Sequence, residues 1–120
     1  MKKIKITWVF CGYMAFRDDE YDESYRAKYL KMLEDEGVAI KPDVSLEFEF
    51  DFHKYLSDHD IAEHVFMNTN TYSGAVWYAI EKLLPTNRSH TALSMGDLVE
   101  IDGRVYRCEA VGFKKLEMAG

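Results

Sequence analysis

From Val44 to Phe52 every second residue is apolar: Val44, Leu46, Phe48, Phe50 and Phe52, with Ser45, Glu47, Glu49 and Asp51 between them. A helix of about 3.6 residues per turn would scatter these five around its axis, whereas a strand puts them all on one face. The segment is therefore a strand with one face on a core and one in water. A second alternation, Ile4, Ile6, Trp8 and Phe10 against Lys3, Lys5 and Thr7, gives another strand of the same kind. Two such strands demand something apolar to cover them.

The covering elements are legible as helices. Residues Ser24 to Glu36 bring Tyr25, Tyr29, Leu30 and Leu33 to a common side, Gly37 is placed to stop the helix, and Pro42 blocks a restart. Ser57 and Asp60 have capping-box spacing ahead of Ile61, Ala62, Val65 and Phe66, and Asn68-Thr69-Asn70 is expected to break that helix. Ser73 is positioned to cap a third, in which Ala75/Val76, Ala79/Ile80 and Leu83/Leu84 recur every four residues until Pro85. Near the C-terminus, Leu98-Val99-Glu100-Ile101 and Val105-Tyr106-Arg107-Cys108 flank Asp102-Gly103, a favoured pair for a tight primed turn. The expected fold is one α+β domain spanning residues 1–120: a mainly antiparallel sheet of about four strands, two or three helices and a C-terminal β-hairpin.

The chain carries 21 acids and 15 bases, a net charge of −6. That balance argues against a general nucleic-acid or membrane-surface binder, which needs a basic face. The acid is concentrated: residues 15–60 hold 14 acids and 6 bases. Two groups stand out within this stretch. Glu47, Glu49 and Asp51 form a row at intervals of about 6.7 Å on one strand face, a spacing that lets carboxylates enter a groove built for phosphates. The same row also reads as a solvated sheet face, or as protection of a strand against edge-to-edge aggregation. Asp18, Asp19, Glu20, Asp22 and Glu23 form an acidic linker before the first helix; they lack the alternating ligands and central glycine of a calcium loop.

Catalytic signatures are absent from the sequence. His53, His59 and His64 are spaced by six and five, not by the four that pairs metal ligands on a helix, and His90 stands apart. His59, between Asp58 and Asp60, fits an acid–base role and equally a solvated helix start. No nucleophile elbow or phosphate-binding glycine loop occurs, and no catalytic residue, metal or cofactor is assigned. Cys11 and Cys108 have neither zinc nor redox spacing and read as two buried strand thiols in a reducing compartment. Lys5 and Thr7 interrupt the apolar stretch after Met1-Lys2-Lys3, so the expected location is cytoplasmic.

The stretch from Ala92 through Ser94-Met95-Gly96-Asp97, the strand Leu98–Ile101, the Asp102-Gly103 turn, the strand Val105–Cys108 and Gly112-Phe113 resembles the C-terminal segment of the YodL-like small proteins of phages, plasmids and integrated elements. That family's pattern is Ser-x-Ser-hydrophobic-x-Asp, then a strand, a turn, an aromatic strand and Gly-Phe or Gly-Trp. Val65-Phe66-Met67-Asn68-Thr69-Asn70 is similar to its upstream helix end. The resemblance implies a phage or mobile-element origin and no particular chemistry.

Three functions follow as expectations. The first is a non-enzymatic inhibitor that binds a basic surface on a host protein, of the anti-CRISPR kind, without touching nucleic acid or membrane itself. Its binding residues would be Glu47, Glu49 and Asp51, with Asp18, Asp19, Glu20, Asp22 and Glu23. The second is an accessory or regulatory subunit of a mobile-element complex. The third is a small enzyme using His59 or His64 with neighbouring acids.

Overall fold

Strand β1 (Lys2–Trp8) is the second strand of a five-stranded antiparallel sheet, with β4 (Val44–Phe50) on one side and β5 (Leu98–Ile101) on the other. Then come β6 (Arg104–Cys108) and β7 (Phe113–Lys115), so the order is β4-β1-β5-β6-β7. Between β1 and β4 the chain makes a 3-10 turn (Gly12–Ala15), a small ribbon of β2 (Phe16–Arg17) and β3 (Glu20–Tyr21), and helix α1 (Glu23–Asp35). Helices α2 (Asp58–Thr71) and α3 (Ala75–Glu81) follow β4. The structure is a computed structural model that describes residues 1–18, 20–84 and 91–116. Asp19, the expected helix stop at Pro85, and His90 lie outside the described residues.

The expected α+β class and antiparallel sheet are present, and the alternating residues do what their spacing dictates. Ile4, Ile6, Trp8, Leu46, Phe48, Val99, Ile101, Tyr106 and Cys108 face inward and pack with Ile61, Ala62 and Val65 of α2 and Val76 and Ile80 of α3. Burying such side chains at roughly 25 cal/mol per Å² of apolar surface is the main force joining sheet to helices. At the β5–β6 turn Asp102 has φ 47° and Gly103 φ 86°, the two positive values a primed turn requires.

The structure corrects several boundaries. Among the described residues the sheet has five strands, since a reversal at Gly112 (φ 70°) returns Phe113–Lys115 alongside β6. β1 ends at Trp8, and Phe10 instead donates its backbone N–H to Asp43. β4 ends at Phe50, although Phe52 beyond it is still buried. The acidic linker contains the β2–β3 ribbon.

Helix α2 runs through Asn68-Thr69-Asn70 to a left-handed Tyr72. The two asparagines turn their side chains away from the backbone of α2, and only the threonine between them bonds back to a carbonyl of its own helix. Thr69 Oγ1 bonds the Val65 carbonyl, Asn70 pairs with both backbone groups of Leu93, and Asn68 accepts the Val76 N–H. That last bond caps α3 from outside. The N-cap of α3 is Gly74, not Ser73, and it contributes no side-chain bond. Cys108 is a buried strand thiol, but Cys11 is half-buried in a left-handed turn; both are free. Burial pushes the Cys108 thiol up to about 12, assisted by the Asp97 carboxylate.

Candidate functional site

The sheet has one helix-covered face and one outer face, and the acidic row lies on the latter. Glu47 and Glu49 are exposed at its outermost strand. The row is not uniform in its surroundings. Glu49 sits opposite Lys3 and Glu47 opposite Lys5 across the β4–β1 register, and Lys5 in turn faces Glu100 of β5. Opposite charges at such cross-strand positions contribute roughly 0.2–1 kcal/mol each. The outer face is therefore a ladder of alternating sign: acid on β4, base on β1, acid on β5. A shallow groove of about 560 Å³ follows it, lined by Lys3, Lys5, Glu47, Glu49, Glu100 and Asp102 among others.

The direction of the backbone groups follows from the bonds of β1. Lys3 uses both its N–H and its carbonyl on Asp102, at the β5 side, and the Val9 N–H also points that way, to Asp97. Phe10 N–H points to the β4 side, to Asp43. Odd residues of β1 thus bond toward β5 and even residues toward β4, as regular alternation requires. In the register Ile4↔Phe48 and Ile6↔Leu46, the even residues of β4 bond β1. Ser45, Glu47 and Glu49 aim their backbone N–H and carbonyl groups at the outer edge.

The second acidic group is elsewhere. Asp51 follows the end of β4 that pairs with Lys2, while the ribbon follows the end of β1 that pairs with Val44. The strand between them is seven residues long, roughly 20 Å. The ribbon acids are engaged locally. Asp22 caps α1 through the Ser24 N–H at 2.9 Å, and the Ser24 side chain, followed by that backbone N–H, holds its carboxyl below the ordinary range. Glu23 pairs with Arg26 at 3.1 Å and accepts from the Tyr21 hydroxyl. Asp18 lies beside Arg17, and Glu20 is exposed opposite Arg17 in the ribbon. Burial pushes Tyr21 up to about 12, with the Glu23 carboxylate adding to it; its ring packs 3.7 Å from the Arg107 guanidinium.

Among the described residues the histidines do not converge on a metal-binding group. His59 Nε2 lies 3.2 Å from the Phe113 carbonyl, and His64 meets the Phe52 ring edge-on. The carboxylate next to His59 is committed to other partners: Asp58 binds Arg104 through both oxygens and accepts from the Tyr106 hydroxyl at 2.7 Å. The Arg104 bonds hold Asp58 below the ordinary carboxylate range, and the same pairing raises Arg104. Among the described residues no group of His, Cys, Asp and Glu has metal-site geometry, and no helix is long and apolar enough to cross a membrane.

Lys3, Lys5 and Glu100 were not singled out by the sequence reading. Their signal was present, since a strand with outward lysines and one with outward glutamates are natural neighbours. Asp97 does more than close a turn onto a backbone amide, which its place three residues after Ser94 lets the sequence anticipate; its reach to the end of another strand appears only in the fold. Its carboxylate accepts the N–H groups of Val9 and Ser94, both at 2.8 Å, tying the Ser94–Asp97 turn to the end of β1. No family model, curated protein or solved structure matches this chain.

Proposed function

We propose that this chain is a non-enzymatic phage or mobile-element protein that acts in the cytoplasm by binding a basic surface on a host protein and inhibiting it. The target class that fits is a nucleic-acid-binding defence protein of the CRISPR-effector kind, whose phosphate-binding groove the carboxylates of Glu47, Glu49 and Asp51 would occupy. The observation that supports this best is the display of Glu47 and Glu49 on the exposed outer face at the rim of the sheet. The origin rests on the resemblance of residues 92–113 to the YodL-like proteins. The ribbon acids are secondary in this reading, because capping and ion pairs already engage Asp22 and Glu23.

Contacts of this kind are screened by salt and steer association. The test uses tagged protein as bait, with partners identified by mass spectrometry and then purified. A variant combining Glu47→Gln, Glu49→Gln and Asp51→Asn keeps the shape of the row and removes its charge. Binding and inhibition should fall at least about tenfold, and wild-type affinity should drop steeply with salt and be competed by nucleic acid. A folded variant, verified by circular dichroism, that binds as well as wild type sinks the reading, as does an affinity unchanged by salt.

A further inference from the structure

We propose that the free edge of β4 receives an added strand from the partner: an extended segment with basic residues at every second position. This deepens the acidic-row reading and rests on it, because it specifies how that row would meet its partner. Four observations carry it.

The first is the backbone. Ser45, Glu47 and Glu49 aim their N–H and carbonyl groups outward, and among the described residues no strand lies beyond β4. Such an edge is a template for another chain. The second is length. β4 pairs over seven residues, enough for several ladder bonds, whereas the opposite edge strand, β7, has three.

The third is charge. Along one row of the outer face the sign alternates Glu100, Lys5, Glu47, and the next member of that alternation is a base. The structure already shows a strand that satisfies β4: β1 places Lys3, Lys5 and Thr7 against Glu49, Glu47 and Ser45. A second copy is the wrong occupant. The outward positions of the segment and of the residue after it are Ser45, Glu47, Glu49 and Asp51, so β4 pairing with β4 sets carboxylate against carboxylate. The fourth is the inner side of the same edge, where Val44 and Phe50 are only partly buried; alternate apolar residues of an added strand would cover them.

The probe is a synthetic peptide carrying the Lys2–Trp8 segment, added in excess to the full chain, with amide exchange read residue by residue. Exchange at Ser45, Glu47 and Glu49 should slow by at least about tenfold. A peptide N-methylated at alternate backbone nitrogens keeps every charge and cannot form the ladder, so it should not protect. A peptide with glutamate in place of lysine should not bind. Ser45→Pro, which removes an outward N–H and leaves the carboxylates intact, should weaken binding while Ser45→Ala does not. If the N-methylated peptide binds as well as the parent, strand addition is wrong and the charge-only reading survives. If the glutamate peptide binds equally, the basic occupant is wrong. Absence of protection at saturating peptide overturns the proposal. So does protection that rises with protein concentration alone, which would identify a second copy as the occupant.

Discussion

The two edges of the sheet are built differently. β7 is three residues long, carries Lys114 and Lys115, and is fastened from beneath. Phe113 packs edge-on to Phe66 of α2, and its carbonyl meets His59. On the next strand Arg104 and Tyr106 are held by Asp58 at the start of the same helix. β4 is seven residues long, and α3 packs against it with apolar side chains. Short length and lysine blunt a strand edge, whereas β4 relies on its carboxylates alone to discourage unwanted pairing. A device that repels acidic or like strands admits basic ones. The longer edge, whose outward backbone groups are open, is thus the more selective one.

The largest expected effect probes the backbone alternation that makes β4 open on one side. Leu46→Pro removes a ladder bond to β1 and a buried side chain, and should cost more than about 3 kcal/mol. Ser45→Pro, one residue away, loses an outward N–H and the exposed hydroxyl bond to Thr7 but no ladder bond, and should cost less than about 1.5 kcal/mol, since edge strands tolerate proline there. Denaturant melts of the pair check this; equal costs would mean that the edge is covered.

The clamp at the other end offers the next test. Asp58→Asn should destabilise by about 1 kcal/mol at neutral pH, the low end for an ion pair because Arg104 is 39% exposed. The folded pKa of Asp58 lies below its unfolded value. Its contribution is therefore complete above the ordinary carboxylate range and disappears as pH falls through the lowered folded value. Wild type and variant should differ at pH 7 and converge in strong acid. A gap that persists there would contradict the assigned ion pair. A similar loss, about 1 kcal/mol, is expected for Gly103→Val. A Cβ at that position meets nothing within 4 Å, so the cost is the positive φ alone, and an unchanged melting temperature would argue against the primed turn.

The sequence made one side of this comparison much plainer than the other. β4 announces itself because each residue reports its own face, and the Asp102-Gly103 turn because its two positive φ angles need those residue types. β7 was invisible: a strand of three residues has too little period to detect, and its existence depends on the reversal at Gly112. Helix α2 outran its expected stop because Asn68 and Asn70 spend their side chains on α3 and on Leu93, contacts that exist only once the chain has folded. The acidic row was legible as a row but not as one rail of a ladder. Lys3 and Lys5 are far from it in sequence, and strand order is a property of the whole sheet.

Amide exchange along β4 in the free protein tests the open edge most directly, with no partner required. Outward N–H groups at Ser45, Glu47 and Glu49 should exchange quickly, and those of Leu46, Phe48 and Phe50 slowly, giving a period-two alternation of at least about tenfold. Equal protection along the whole strand would show that something already covers the edge, and the case for an added basic strand would fail with it.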